Sequence, residues 1–173
     1  YLPAREVTQG SSDIIVAVLD HGTQLDHPDL NVSSKSYDTE TGRSPSQIWG
    51  NHGTACSGII SAKTNNNLGV AGIAPNCPVM SISNQLMGTS DAPQKRADGF
   101  NWAWRNGASV ISNSWRSSTF SELLEDAIQS AMTNGRNGLG CVVTFSAGNY
   151  DSNTVGYPAR SLPDIIVVGA LSL

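Results

Sequence analysis

The spacing of apolar and polar positions predicts strands alternating with helices. Six consecutive apolar residues, Ile14 to Leu19, predict a strand buried on both faces. This strand ends at Asp20. Further buried strands are predicted at Val79–Ser83, Ala108–Ser114, Val142–Ser146 and Ile165–Val168. The intervening segments are polar or helical, so the chain favours β-α-β units with right-handed crossovers, in a three-layer α/β fold whose mostly parallel sheet carries helices on both faces.

Three helices are predicted between these strands, at about residues 52–62, 98–106 and 118–135. The first is rich in Ala, Ser and Gly, which allow a helix to lie close against a sheet. In the last, apolar residues recur at helical spacing and predict one face packed on the sheet. Ser118 or Thr119 is its expected N-cap, with Glu122 in a capping box, and Gly135 is its expected end.

Length and charge restrict the class of protein. A chain of 173 residues predicts one domain with a sizeable core. The net charge of −4 indicates no nucleic-acid or anionic-membrane partner. No apolar run is long enough to predict a transmembrane helix. The chain opens on Tyr1 without a Met or a visible signal peptide, so a processed or trimmed start is expected.

Three polar positions are candidates for chemistry. Asp20 stands at the carboxyl end of a central strand, where open α/β sheets place their sites, although Asp also favours turns. His52 lies in the first turn of the small-residue helix, where a histidine is also compatible with a structural role. Asn149 follows the fourth predicted strand, and the alternative is a turn amide after Gly148.

These residues belong to a series of short motifs that runs through nearly the whole chain. In chain order the motifs are Asp20-His21-Gly22, His27-Pro28-Asp29-Leu30, His52-Gly53-Thr54, Gly69-Val70-Ala71-Gly72-Ile73-Ala74-Pro75, Ser112-Asn113-Ser114-Trp115, Ser146-Ala147-Gly148-Asn149 and Gly156-Tyr157-Pro158-Ala159. Each motif alone is weak. Together, in this order and spacing, they resemble the catalytic domain of the subtilisin-like serine proteases, the subtilases.

The resemblance implies a serine endopeptidase with an Asp-His-Ser triad, in the subtilisin chain order. Asp20 is then the carboxylate, His52 the base and Asn149 an oxyanion donor. The family's nucleophile follows in a Gly-Thr-Ser-x-Ala motif that residues 1–173 do not contain. We therefore expect an N-terminal part of one peptidase domain, inactive alone, whose partner is the remaining C-terminal part carrying the Ser. Gly88-Thr89-Ser90 imitates that motif, but it precedes Asn149.

The resemblance also implies a cleft for a peptide or protein substrate. The segment Ser114-Trp115-Arg116 matches the family's substrate-pairing segment and wall of the first pocket. Arg116 departs from the Gly usual there. The expected lining of small groups is Ala147, Gly148 and Gly156. Two weaker expectations place His21 at the second pocket and Tyr150 at the mouth of the first.

The segment Thr64 to Gly69 contains three consecutive Asn residues and has two interpretations. One is a plain turn, because Asn tolerates left-handed backbone. The other, from the family, is a structural calcium loop with Asp29 and Asn66 as side-chain ligands, since calcium takes oxygen ligands. The chemistry of the triad needs no cofactor.

Three cysteines cannot all pair within one chain. Cys56 is expected to be a buried free thiol. A Cys–His protease built from Cys56 and His52 is an alternative, because the two lie four apart on a helix. Cys77 and Cys141 each precede a predicted strand. A disulfide between them is geometrically possible if those strands are neighbours, and the sequence leaves this open.

Two other classes of protein are alternatives. One is a non-catalytic, peptide-binding descendant of the same fold, a pseudoprotease. The other is a nucleotide-binding domain, which needs a glycine-rich phosphate loop that Asp20-His21-Gly22-Thr23 does not provide. The family resemblance implies a secreted, periplasmic or cell-surface location. An unfinished core predicts exposed apolar surface and self-association.

Overall fold

A computed structural model of the chain describes residues 2–149 and 153–171. Its helices are α1 (Leu2–Val7), α2 (His52–Ser61), α3 (Ala92–Arg105) and α4 (Glu122–Gly138). Its strands are β1 (Ile15–Asp20), β2 (Tyr37–Asp38), β3 (Val79–Ser83), β4 (Ala108–Asn113), β5 (Val142–Ser146) and β6 (Ile166–Val168). The predicted α/β alternation is confirmed.

The strands form one six-stranded parallel sheet in the order β2-β3-β1-β4-β5-β6. The first strand lies in the middle, between β3 and β4, so the strand order reverses beside it. In open parallel sheets, ligands bind outside the carboxyl ends of the strands at this reversal. Asp20 is the last residue of β1 and lies at that point.

Helices cover both faces of the sheet, as predicted. On one face α3 and α4 pack against each other and against the central strands, around Leu19, Phe100, Ile128 and Phe145. On the other face α2 packs on β1 and β3. Side chains of a strand alternate between the faces, so Asp20 points to the side opposite Leu19, which is the α2 side.

Several element boundaries differ from the prediction. The helix predicted at residues 98–106, α3, begins at Ala92 rather than at Asp98. Pro93 lies in its first turn, where a missing N–H costs nothing. The N-cap of α4 is Ser121, and not Ser118 or Thr119 as predicted. The Ser121 side chain accepts a hydrogen bond from the Leu124 N–H at 3.3 Å. The two-residue strand β2 was not predicted.

All three cysteines are free, and the condition for a Cys77–Cys141 disulfide, that β3 and β5 are neighbours, is not met. Cys77 precedes β3 and Cys141 precedes β5, and β1 and β4 lie between those two strands. Three strand spacings separate the cysteines by about 14 Å, whereas a disulfide needs Cα atoms about 4.4–6.8 Å apart.

The β5–β6 end of the sheet remains open on the α2 side. Within the described residues, Val142, Ile166 and Val168 are 39%, 51% and 57% exposed. The last two pair with Thr144 and Ser146, which share that face. The expected exposed apolar surface is therefore present. Among the described residues, no helix is both long and apolar enough to cross a membrane.

Candidate active site

Asp20 and His52 form a directly bonded pair at the carboxyl edge of the sheet. The His52 Nδ1 atom lies 2.8 and 2.9 Å from the two Asp20 carboxylate oxygens. Asp20 is fully buried, and its Oδ1 also accepts the His21 backbone N–H at 2.7 Å. The His52 side chain is 52% exposed. A carboxylate that holds Nδ1–H leaves Nε2 as the nitrogen able to accept a proton.

Two glycines allow the start of α2 to approach the end of β1. A Cβ at Gly53 would lie 2.4 Å from the Gly22 carbonyl oxygen. Gly22 has a φ of +92°, and a Cβ there would lie 2.0 Å from the Gln47 carbonyl oxygen. Neither position accommodates a side chain without a backbone shift. The absence of side chains at Gly22 and Gly53 therefore allows Asp20 and His52 to approach each other.

A buried hydroxyl network connects α2 to β3 through Thr23. The hydroxyls of Thr23 and Ser57 are 2.7 Å apart, and the Thr23 backbone N–H donates to Ser81 Oγ at 2.9 Å. Ser57 donates to the Gly53 carbonyl at 2.8 Å, and Ser46 donates to Ser81. Sequence reasoning missed this network. Its available signal was the alternation of Ser with apolar residues in β3.

Cys56 lies one helical turn after His52 and is half-buried. Its Sγ is 3.8 and 3.9 Å from the two His52 ring nitrogens and 3.7 Å from Ser114 Oγ. Burial raises the pKa of the Cys56 thiol, although the Ser114 hydroxyl opposes that shift. A catalytic cysteine needs a lowered pKa, so the Cys–His alternative has geometry but no activated thiolate.

Among the described residues, Asp20, His52 and Cys56 are also a set of metal-binding side chains whose ligand atoms lie within 4.8 Å of one another. Two of these three residues are already bonded to each other through Nδ1 and the carboxylate.

A cavity of about 430 Å³ opens at the carboxyl edge of the sheet, after β4 and β5, and predicted substrate residues lie in its wall. They are Trp115, Arg116, Ala147, Gly148 and Gly156. The Trp115 Nε1–H donates to the Leu19 carbonyl at 3.0 Å, which ties the wall to the residue before Asp20. The sequence prediction did not name several other lining residues, among them Phe120, Tyr157 and Arg160. The last two lie in or next to the recognised Gly156–Ala159 motif.

The remaining predicted residues lie at the same edge. The Ala147 N–H donates to the Val168 carbonyl at 2.8 Å, and Gly148 has a φ of +103°. Asn149 follows and is exposed. The His21 ring lies edge-on to the His52 ring, with centroids 6.2 Å apart. Tyr150 falls outside the described residues.

Asp29 and Asn66 are close together, but they bond to each other. The Asn66 amide nitrogen donates to Asp29 Oδ1 at 2.7 Å, and the Val70 N–H donates to Oδ2 at 3.2 Å. The Asn66 carbonyl oxygen accepts the Leu68 N–H at 3.2 Å. These hydrogen bonds, the Asn66 bond first, hold the pKa of Asp29 below its usual value.

This arrangement does not fit a calcium ion. Calcium requires six to eight oxygen ligands, yet each proposed side-chain oxygen here already accepts an N–H. The Lys63 ammonium also donates to the Pro28 carbonyl, beside Asp29. A second cation there would be repelled.

A histidine held by a carboxylate, at the point where the strand order of a parallel sheet reverses, is the arrangement of a general-base catalytic site. The family model for the subtilase family matches residues 11–172. The chain belongs to the subtilase family.

Similar proteins of known sequence support this assignment. The chain is 36% identical over 169 residues to a thermophilic serine proteinase of Bacillus sp. (strain AK1), covering 97% of this chain and 41% of that protein. It is 34% identical to subtilisin E of Bacillus subtilis (strain 168), covering 93% of this chain and 42% of that protein. A calcium-dependent protease of Trichormus variabilis (strain ATCC 29413 / PCC 7937) is 32% identical, covering 90% of this chain and 26% of that protein. The chain thus spans less than half of these relatives.

Solved structures show the same fold. The prenylagaramide maturation protease PagA matches 99% of this chain and 58% of its own, with 26% identity and a TM-score of 0.74. MycP1 with its N-terminal propeptide removed matches 99% of this chain and 62% of its own, with 21% identity and a TM-score of 0.75. The predicted three-layer, subtilisin-like α/β architecture is confirmed.

Proposed function

We propose that the protein is a serine endopeptidase, and that residues 1–173 supply the carboxylate, the base and part of the substrate cleft. The observation that carries this proposal is the Asp20–His52 pair. A buried carboxylate bonded to Nδ1 of a half-exposed histidine is the arrangement that a general base requires. A binding module has no need of it.

In the proposed mechanism, His52 Nε2 takes the proton of a serine hydroxyl as that oxygen attacks the scissile carbonyl. Asp20 holds the ring in the required tautomer and stabilises the imidazolium. His52 then gives the proton to the leaving amine. Water attacks the acyl-enzyme in the second half of the reaction, and His52 again takes the proton of the attacking group. The Asn149 side-chain amide donates to the oxyanion. In a subtilisin, loss of such a donor lowers kcat about 100- to 1,000-fold, and we expect a loss of that order here.

The serine itself is proposed to lie in a C-terminal part of the same domain, beyond residue 173. The open sheet face at Val142, Ile166 and Val168 offers apolar surface for that part to cover. Without it, the same surface favours self-association. Calcium has no role in this proposal, because Asp29 and Asn66 do not fit it. An exported location follows from the family resemblance.

The substrate is proposed to be a peptide or protein that adds as an extended strand along residues 114–116. Backbone hydrogen bonds then hold the substrate and side-chain pockets select it. The cavity lined by Trp115, Ala147 and Gly156 is the proposed first pocket.

Labelling with a fluorophosphonate probe tests the proposal. The probe is applied to residues 1–173 alone and to the protein at its native length, and adducts are located by peptide mapping. We expect labelling only at native length, at a serine beyond residue 173. A matched His52→Ala variant should lose the label. Labelling of Ser90 in the short chain would contradict the proposed position of the nucleophile beyond residue 173. Absence of labelling in both forms would favour a peptide-binding pseudoprotease.

A further inference from the structure

A buried arginine packs against the predicted substrate-pairing segment. Arg96, in the first half of α3, is only 2% exposed. Its guanidinium carbon lies 4.8 Å from the centre of the Trp115 ring. Its Nη2 donates to the Met87 carbonyl at 3.1 Å, whereas its Nε has no hydrogen-bond partner among the described residues. Within that part of the chain, no carboxylate forms an ion pair with this cation.

The burial of Arg96 opposes folding. Removal from water disfavours the charged form and lowers the pKa of the Arg96 guanidinium group, and only the more distant Glu40 carboxylate opposes this shift. Glu40 already has partners, because it accepts the Lys95 ammonium at 2.7 Å and the Gln85 N–H at 2.9 Å. Where charges are buried, apolar side chains of similar volume are often as stable or more stable. Packing alone therefore does not account for a cation at this position.

Trp115 is held by three different interactions. Its Nε1–H donates to the Leu19 carbonyl at 3.0 Å, and its ring lies edge-on to Phe145, with centroids 5.0 Å apart. The Arg96 guanidinium supplies the third, a cation–π contact, which is stronger where the partners are shielded from water. Trp115 is 7% exposed and lines the cavity at the carboxyl edge of the sheet. The orientation of this ring therefore constrains the backbone of residues 114–116.

The second contact of Arg96 reaches the loop after β3. Met87 lies in this loop, which begins at Asn84, whose N–H donates to the carbonyl of Asp20 at 2.8 Å. Trp115 donates to the carbonyl one residue earlier in β1. The strands β3 and β4 lie on either side of β1. Arg96 therefore connects the segments that follow those two strands, and both segments are bonded to the end of the strand that carries Asp20.

We propose that Arg96 is a positioning residue for substrate binding: its guanidinium group holds Trp115, and with it residues 114–116, in the arrangement that accepts an extended peptide. Arg96 itself does not touch the substrate. Its loss weakens binding of the peptide equally in the ground state and in the transition state, which raises KM and leaves kcat unchanged. The proposal rests on the proposed endopeptidase function, because it concerns the substrate cleft of that same site.

Arg96→Met tests this role in the protein at native length, because Met removes the charge and keeps an unbranched side chain. For a peptide with several residues before the scissile bond, we expect KM to rise about fivefold, as for the loss of a shielded cation–π contact. The kcat should stay within about twofold of wild type. A single-residue ester lacks the residues that would run along 114–116, so its KM should not change. The melting temperature should stay level or rise.

Arg105→Met is the matched control. Arg105 lies on Trp104 in a similar way, with its guanidinium carbon 5.1 Å from the ring centre, but Arg105 is exposed and neither residue lines the cavity. Its KM values should equal those of wild type. Arg96→Lys keeps the charge but not the planar group that stacks on an aromatic ring, so its KM for the long peptide should be intermediate. In a Trp115→Phe background, Arg96→Met should have a smaller effect, because the two residues interact.

The possible outcomes separate this role from a structural one. An unchanged KM for the long peptide in Arg96→Met overturns the positioning role and leaves the endopeptidase intact. A rise in KM that is equal for the ester and the long peptide also overturns it, because it indicates a general distortion of the site. If Arg96→Met does not fold, the expected stability is wrong, and Arg96→Lys carries the comparison of the two substrates.

Equilibrium binding separates the positioning role from the proposed chemistry. If no peptide is hydrolysed, a fluorescein-labelled long peptide is titrated with the native-length protein and its anisotropy is followed. A dissociation constant that rises about fivefold in Arg96→Met, and not in Arg105→Met, supports the positioning role while the endopeptidase fails. An unchanged dissociation constant, or no binding to the wild-type protein, refutes the positioning role.

Discussion

Gly53, the residue after His52, lies against Gly22 so closely that a single methyl group would meet the Gly22 carbonyl oxygen at 2.4 Å. Gly22 belongs to the turn after Asp20. The distance between the catalytic candidates is therefore set by backbone contact between their neighbours.

Gly53→Ala should push α2 away from β1. We expect a loss of about 1–3 kcal/mol in the free energy of unfolding, because the added methyl group meets backbone that cannot move freely. Urea denaturation measures it. Gly58→Ala on the same helix is the control: its nearest neighbours would be 4.0 Å away, so stability should stay level or rise. Equal losses in both variants would contradict the packing argument.

Asp20→Asn should leave the fold intact and remove the carboxylate that orients His52. In the native-length protein we expect kcat to fall about 10⁴-fold, as for triads whose Asp is replaced by Asn. Peptide hydrolysis and the rate of fluorophosphonate labelling measure the change. Asp26→Asn, at an exposed carboxylate nearby, is the control and should stay near wild type. A loss of less than about tenfold would remove Asp20 from the mechanism.

Asp38 should make stability depend on pH. It is fully buried, which opposes its ionisation, yet hydrogen bonds from Trp49, Thr41 and Ser83 outweigh burial and hold the pKa of Asp38 below its usual value. Because the folded pKa lies below the unfolded pKa of about 3.9, this stability is present above that value and is lost as the pH falls through the folded pKa.

Asp38→Asn should therefore cost about 1.5–3 kcal/mol at pH 7, and the difference from wild type should shrink in acid. Urea denaturation at several pH values measures it. Asp13→Asn, at an exposed position, should show neither effect. A cost that stays constant with pH would mean that the charge of Asp38 is not responsible.

Asn66→Asp should convert a metal-independent contact into a cation-dependent one. In wild type, the Asn66 amide donates to Asp29, so the melting temperature should not respond to calcium or to a chelator. A second carboxylate at position 66 would repel Asp29. We expect a lower melting temperature in chelator and recovery with calcium, with Asn67→Asp as the neighbouring control. A wild-type protein that loses stability in chelator would refute the metal-free interpretation.

The three thiols should be free and mostly protected. Cys77 and Cys141 are only 4% and 6% exposed, and burial raises the pKa of the Cys56 and Cys141 thiols. Titration with a thiol reagent at neutral pH should be slow in the folded protein and should reach all three cysteines in urea without reductant. Fewer than three reactive thiols in urea would indicate a disulfide.

The sequence was sufficient for the sheet and for the Asp20–His52 pair. A long apolar run marks β1, and short motifs with rare residue combinations mark the ends of strands. The edge strand β2 was not predicted, because two residues carry no periodicity. The sequence left the Cys77–Cys141 pairing open, because the order of strands in a parallel sheet depends on the crossover connections and not on the strand sequences.

Side-chain partners were the least predictable part of the site. Proximity of Asp29 and Asn66 followed from the motifs, but which atoms of Asn66 face the carboxylate depends on the backbone of the loop, where Leu68 supplies an N–H. Likewise, Arg116 was visible as a departure from the family. Its position against Gly156 could not be predicted, because two segments about forty residues apart in the sequence meet there.

The parallel sheet has a kinetic consequence for this site. Val16 on β1 pairs with Val79 on one side and with Val110 on the other, so the central strand has only distant partners. Contacts of such high sequence separation fold slowly. During synthesis, the strand that carries Asp20 emerges early and must wait for β4 and the segment around Gly156. The cleft is consequently among the last features to form on a growing chain, after most of these residues have left the ribosome.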